Sequence, residues 1–162
     1  DTLSLHDALP ICDHVERVIL PMIRSGIWVL CDRYLDSTRA YQAGDPDRTG
    51  LTDKAICDMH GLGARLIPGM SILLDIPEDI DIDSSRADPI AARLAGRGGD
   101  ADRMEARDAP FHAGVRQRFR DIAARESGRW LVVDALGTHT DVHRAICAGI
   151  AARYKIALEP VL

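Results

Sequence analysis

Three short apolar runs, each closed by an aspartate, constrain the fold of this chain more than any other feature. They are IWVLCD (27–32), SILLD (71–75) and WLVVD (130–134), and sequence with helical periodicity precedes each of them. Continuous apolar runs of this length between helices are typical of strands buried on both faces of a parallel sheet. The sequence therefore predicts an α/β fold, with a parallel sheet flanked by helices.

The aspartates that close these runs suggest where a ligand would bind. In open α/β sheets, ligands gather beyond the carboxyl ends of the strands. We therefore expect the three runs to be neighbouring or near-neighbouring strands, with Asp32, Asp75 and Asp134 at one rim.

The helices are indicated by apolar periodicity and by terminal signals. Helical spacing begins at Asp13, and Gly26 supplies a stop. Thr52 is a plausible cap for the helix before the second run, and Asp108 with Pro110 in the first turn marks the next one. A last helix, THTDVHRAICAGIAARY, closes the chain.

Composition limits the classes of protein. With 162 residues and 46% hydrophobic content, the chain can bury one ordinary core. A net charge of −5 does not suggest a nucleic-acid coat or a membrane-surface protein, and no apolar run approaches the about 20 residues of a membrane helix. The four cysteines are scattered, which favours reduced thiols in a cytoplasmic protein over a disulfide frame or a zinc site.

The start of the chain does not fit the pattern that follows. It begins with Asp1, and DTLSLHDALPI is neither a signal peptide nor a periodic helix. It resembles a translated sequencing-adaptor peptide, so we expect residues 1–11 to be a non-native lead-in and residues 12–162 to form the domain. The alternative is a genuine short lead-in.

The stretch VLCDRYLDSTRAYQ (29–42) places charged, hydroxyl, aromatic and amide groups directly after the first apolar run. A simple turn would more often use Gly, Asn or Pro. With its Asp-Arg-aromatic triplet, Ser-Thr and Ala-Tyr-Gln, this signature segment resembles that of the bacterial thymidylate kinases. The resemblance extends from about residue 13 to about residue 154, through DHVERVILP, SILLDIP, RGGDADRMEA and WLVVDA.

The resemblance implies a P-loop nucleoside monophosphate kinase fold and the ATP-dependent phosphorylation of dTMP to dTDP, with Mg²⁺ as the cofactor. It implies a homodimer when the protein is complete. A guanidinium can fork onto phosphate oxygens, so Arg33 is the leading phosphate ligand, and Asp32 would orient it or reach the magnesium shell through water. The remaining expected acceptor-binding residues are Ser37, Thr38, Tyr41 and Gln42.

A Gly-rich, Arg-rich segment at about residues 93–107 resembles the mobile lid of the family. Arg97 matches the catalytic lid arginine best, with Arg93 and Arg103 as the other candidates. From spacing alone, the segment could equally be a solvated surface loop. The resemblance also places the adenine contact after the last strand, at Ala135, mainly through backbone.

The printed sequence contains no G-x-x-x-x-G-K-[ST] motif, which would hold the donor phosphates. We therefore expect that the family's first strand, first helix and P-loop are missing and that the printed chain is inactive alone. Two alternatives are a deoxynucleoside kinase-like enzyme and a non-catalytic nucleotide-binding fragment.

Overall fold

The computed structural model describes residues 13–43, 51–63, 65–76 and 109–158. The expected lead-in (1–11) and the expected lid (93–107) both lie outside these ranges. The chain divides into two compact units. The first comprises residues 1–68 and 108–122, and the second comprises residues 69–107 and 123–162.

The first unit opens with a helical segment that changes pitch. A π-helical turn, Val15–Ile19, continues directly into helix α1, Leu20–Arg24. Pro21 explains the change, because its ring has no N–H and crowds the carbonyl four residues earlier, which a wider turn relieves. Val15 and Ile19 are buried at the centre of an apolar cluster. Leu20, Val29, Tyr34 and Leu66 pack around them.

Helix α1 ends at the glycine that the sequence indicated. Gly26 has a φ of +77°, in the left-handed region that glycine adopts without a steric penalty. Its N–H donates a hydrogen bond to the carbonyl of Ile23 at 2.9 Å. The N–H of Ile27 donates to the carbonyl of Met22 at 3.0 Å. These are the two bonds of a Schellman motif, so the predicted stop at Gly26 is confirmed.

The predicted strand at residues 27–32 is wrong. This segment has no strand pairing, and Trp28 and Leu30 are 64% and 94% exposed, whereas both faces were expected to be buried. Val29 alone among its central residues packs against the Val15–Ile19 cluster. A strand needs a partner for its backbone groups, and the described part of the first unit contains no other strand.

Two further helices lie entirely in the first unit, and a third begins there and ends in the second. Helix α2 comprises Leu35–Gln42, and helix α3 comprises Asp53–Leu62. The predicted cap of α3 is confirmed, because the Thr52 hydroxyl accepts a hydrogen bond from the N–H of Ala55 at 3.1 Å. Helix α4, Ala109–Arg125, begins where expected, while its expected cap, Asp108, lies outside the described residues.

The second unit contains a parallel strand pair. Strands β1, Ser71–Asp75, and β2, Trp130–Asp134, have the predicted bounds. They pair in register, so that Asp75 lies opposite Asp134 at the carboxyl ends. The N–H of Ala135 extends the ladder by bonding to the carbonyl of Asp75 at 2.9 Å.

Helix α5, His139–Tyr154, packs against β2. At its start the Thr138 hydroxyl accepts from the N–H of Asp141, while the Asp141 carboxylate accepts from the N–H and hydroxyl of Thr138. The hydrogen bonds from the hydroxyl and the backbone of Thr138 hold the pKa of Asp141 below its usual value. This reciprocal capping box fixes the helix start, and close contact between Gly149 and Leu131 fits the helix onto the strand.

Candidate functional site

Arg33 lies at the turn into α2, and its backbone is left-handed. Its φ is +62°, a conformation that costs a non-glycine residue about 1–2 kcal/mol. The Cys31 thiol donates a hydrogen bond to the carbonyl of Arg33 at 3.4 Å, and the Arg33 side chain is exposed. Strained backbone of this kind often occurs at binding sites, where the surrounding structure holds a side chain in one direction.

The guanidinium of Arg33 lies over an aromatic ring. Its central carbon is 5.6 Å from the ring centroid of Tyr41, which is within the range of a cation–π contact. Tyr41 itself packs against Phe111 at 6.1 Å and Phe119 at 6.3 Å between ring centroids. Tyr41 therefore has two roles in the structure, since it is part of an aromatic cluster with α4 and also supports the Arg33 side chain.

Helix α2 carries the other expected acceptor residues. Ser37 and Tyr41 are four residues apart, and so are Thr38 and Gln42, so each pair occupies one face of the helix. All four are half-buried. The structure thus places Arg33, Ser37, Thr38, Tyr41 and Gln42 on one helix and the turn before it.

The three aspartates predicted to share a rim are placed differently. Asp75 and Asp134 are register partners at the carboxyl end of the sheet, and the Oδ1 of Asp134 accepts from the N–H of Leu136 at 2.8 Å. Asp32 belongs to the other unit, is exposed and does not follow a strand. The predicted rim is therefore confirmed for Asp75 and Asp134 and wrong in giving Asp32 a strand end, because residues 27–32 have no strand partner.

The remaining expected site residues divide into two groups. Ala135 is buried at 3% exposure, and its N–H already donates to Asp75. Arg93, Arg97 and Arg103 lie outside the described residues. Across the described ranges there is no group of three or more His, Cys, Asp or Glu side chains that could hold a metal ion. None of the described helices is long and apolar enough to span a bilayer.

One buried charge cluster was not anticipated. Arg39, at 5% exposure, forms ion pairs with Asp36 at 3.1 Å and with Asp53 at 2.7 Å. The signal for the first pair was present in the sequence, since Asp36 and Arg39 are three residues apart and can meet on one helical face. The contact with Asp53 has no such signal, because the two residues belong to different helices.

Comparison with known proteins assigns the chain to a family. A family model described as thymidylate kinase matches residues 10–146. The chain is 40% identical over 141 residues to a thymidylate kinase of Rhizorhabdus wittichii, covering 86% of this chain and 62% of the relative. It is 39% identical over 145 residues to a thymidylate kinase of Nitrobacter hamburgensis, covering 90% of this chain and 59% of that relative.

A solved structure supports the fold independently. A thymidylate kinase from Ehrlichia chaffeensis superimposes with a TM-score of 0.56 at 21% identity, covering 87% of this chain and 59% of the other. Its likeness confirms the predicted fold class, a parallel sheet with flanking helices. The chain spans about 60% of the length of the relatives it matches.

Proposed function

Because the chain belongs to the thymidylate kinase family, we propose that the protein containing it transfers the γ-phosphoryl group of ATP to dTMP and releases dTDP. The single observation that carries this proposal is the placement of Arg33. Its guanidinium lies over Tyr41, directly before the helix that carries Ser37, Thr38 and Gln42. This arrangement offers one phosphate-binding group and several polar groups within about two helical turns.

Each residue of the signature segment has a role that its chemistry suits. Arg33 would bind the dTMP phosphate with two parallel hydrogen bonds. Ser37 and Thr38 have small hydroxyls suited to the edge of the base, and Thr38 is the leading base contact. Tyr41 would place a flat ring and a phenol hydroxyl near the sugar, where they would disfavour a 2′-hydroxyl. The Gln42 amide would contact the base or a neighbouring loop.

Magnesium would arrive with ATP, and the described residues fit such a site only through Asp32. Mg²⁺ retains several waters and commonly takes one or two carboxylates together with substrate phosphates, so it does not need a dedicated cluster of side chains. Asp32 is exposed and adjacent to Arg33, which allows it to reach the metal through water or to orient the guanidinium. When bound, the ion would neutralise charge on the phosphates.

The lid and the adenine contact remain part of the proposal. Arg97 would close over the phosphates and stabilise charge in the transition state, with Arg93 and Arg103 as the alternatives. The N–H of Ala135 is already bonded to Asp75, so an adenine contact at Ala135 would use its carbonyl or methyl group. We further propose a cytoplasmic homodimer, on the family resemblance alone.

The decisive experiment compares two proteins with ATP, Mg²⁺ and dTMP. One is the chain of residues 1–162, and the other joins a P-loop segment from a thymidylate kinase to residues 13–162. We expect dTDP formation only in the fusion, since the printed sequence lacks a motif that holds the donor phosphates. Activity of the unfused chain would refute its expected inactivity, and a fusion that folds but is inactive with dTMP would refute the proposed function.

Single substitutions in the fusion test the roles. Arg33→Ala should cost about 2–5 kcal/mol of transition-state stabilisation, because phosphate charge in a closed site would lose its partner. The control, Arg24→Ala, removes an exposed arginine at the end of α1 and should leave turnover unchanged. Equal turnover in the Arg33 variant and the parent would exclude the phosphate role.

Two other variants separate recognition from catalysis. Tyr41→Phe retains the packing on Phe111 and Phe119, so it should change the preference for deoxyribonucleotides more than stability. Arg97→Ala should lower turnover and leave dTMP affinity nearly unchanged. Weaker dTMP affinity with normal turnover would make Arg97 a binding residue and leave Arg93 or Arg103 as the catalytic candidate.

A further inference from the structure

Helix α2 is too short to hold its own position. It has eight residues, and its N-cap residue, Tyr34, makes no side-chain capping bond. Isolated helices shorter than about 12–15 residues are marginal in water. The direction in which α2 presents Ser37, Thr38, Tyr41 and Gln42 therefore depends on contacts with other elements.

One contact of α2 with another helix is a two-bond ion pair made by Arg39. Its Nε donates to Oδ1 of Asp53 at 2.7 Å, and its Nη2 donates to Oδ2 of the same carboxylate at 3.1 Å. Such a bidentate pair fixes both the distance between its partners and their relative orientation. Asp53 is the first residue of α3, so this contact ties the middle of α2 to the start of α3.

The surroundings of Arg39 make the contact rigid. The Arg39 side chain is 5% exposed, and Asp36 on the same helix accepts from its Nη1 at 3.1 Å. The guanidinium is therefore held between two carboxylates, of which Asp36 is nearly buried and Asp53 is half-exposed. A buried charge that is bonded on two sides has little freedom to move to another partner.

A second contact holds the end of α2. The Nε of Arg118, on α4, donates to the carbonyl of Ala40. A cation at the last carbonyls of a helix also interacts favourably with the helix dipole. Asp53 on α3 and Arg118 on α4 thus hold α2 from two other helices. Of these two contacts, only the one with Asp53 joins two side chains, so both of its partners can be substituted.

We infer that the bidentate ion pair between Arg39 and Asp53 positions α2 for binding of the acceptor nucleotide, although neither residue touches that nucleotide. The inference rests on the proposed function, because it takes dTMP as the ligand of α2. Arg39 and Asp53 are positioning residues in this view. Their loss should weaken dTMP binding by displacing the polar groups of α2 while the unit remains folded.

The test is a calorimetric titration of the full chain, residues 1–162, with dTMP. Arg39→Met would also remove one partner of buried Asp36, so the main variant is Asp53→Ala, which breaks the link and leaves Arg39 bonded to Asp36. We expect its dissociation constant for dTMP to rise about tenfold with an unchanged number of sites. Asp53→Asn keeps an oxygen for Arg39 and should raise the constant about threefold, and it carries the test if the alanine variant does not fold.

Two flanking substitutions are the controls. Thr52→Ala removes the cap of α3 without touching Arg39, and Lys54→Ala breaks an exposed pair with Asp58 on the outside of the same helix. Both variants should have dissociation constants for dTMP within about twofold of that of the parent chain, because neither substitution alters the contact between α2 and α3.

The outcomes separate the inference from the function on which it rests. No binding of dTMP by the unsubstituted folded chain would overturn this inference, whereas the proposed function is refuted only by a folded fusion that forms no dTDP. Binding by that chain with an unchanged constant in both Asp53 variants would overturn the inference alone. A fall in the number of sites at a constant affinity, or an equal weakening in Thr52→Ala, would show a role in folding only and would also overturn it.

Discussion

The two units of this chain hold their secondary structure with different interactions. In the first unit, side chains make the main contacts around the candidate site: the Arg39–Asp53 pair, the Arg33–Tyr41 stack and the aromatic cluster of Tyr41 with Phe111. In the second unit, the secondary structure is held by the backbone ladder of β1 and β2 and by the capping box of α5. The orientation of the candidate site therefore depends on the identity of a few side chains. The sheet depends instead on the apolar pattern of its strands and on the close fit of α5 against β2.

The largest expected difference between the units is in the stability that each loses when a paired arginine is replaced. Arg39→Met removes the buried cation between Asp36 and Asp53, and breaking a buried ion pair in this way costs about 3–5 kcal/mol. Urea unfolding should show this loss, and amide exchange should increase in α2 and α3 while β1, β2 and α5 retain their protection.

The matched control lies in the second unit. Arg144 pairs with Asp141, also three residues away, but both side chains are more than half exposed. Arg144→Met should leave stability unchanged within error, because solvent screens exposed pairs. Similar losses in the two variants would show that burial does not distinguish the two pairs, and the comparison between the units would fail.

A pair of glycines tests packing in the two units. A Cβ added at Gly149 would overlap the side chain of Leu131 on β2, so Gly149→Ala should destabilise by about 1–3 kcal/mol, less the gain from alanine's helix propensity. Nothing lies within 4 Å of a Cβ at Gly61 on α3, so Gly61→Ala should stabilise by about 0.5–1 kcal/mol. Thermal unfolding of both variants gives the signs, and a stabilised Gly149 variant would refute the close fit of α5 on β2.

Removing a helix cap should produce a smaller difference in stability between the two units. Thr138→Ala removes one side of a reciprocal capping box and should cost about 1 kcal/mol. Thr52→Ala removes a single capping bond on α3 and should cost less. Chemical denaturation of the two variants measures the order, and a larger loss for Thr52 would contradict the importance given to the box.

The smallest expected effect is the pH dependence of the box. Because the folded pKa of Asp141 is lowered, its contribution to stability is present above the ordinary carboxyl pKa of about 4 and is lost as the pH falls through the lowered value. Titration of the Asp141 carboxyl by carbon NMR should therefore give a midpoint below the ordinary one. In Thr138→Ala the midpoint should return toward the ordinary value, and an unchanged midpoint would exclude Thr138 as the cause.

Features set by neighbouring residues were predictable from the sequence. The bounds of β1 and β2, the Thr52 cap and the Gly26 stop are confirmed, since an apolar run, a hydroxyl or a glycine acts on backbone within a few residues. The strand at residues 27–32 was predicted wrongly on the same evidence. An apolar run indicates that a strand is compatible with the sequence, but pairing requires a partner strand, and residues 27–32 do not show whether one is present.

The sequence by itself determined the family, the fold class and the segment that carries the candidate site, because these depend on the kind and spacing of residues along the chain. The tertiary structure alone decided that Arg39 reaches Asp53, that Arg33 lies over Tyr41, and that Asp32 does not follow a strand. The first fact joins two helices, the second depends on the left-handed turn at Arg33 before α2, and the third requires an adjacent strand. Local spacing does not encode these geometries, because they depend on how the backbone turns and on how separate elements pack.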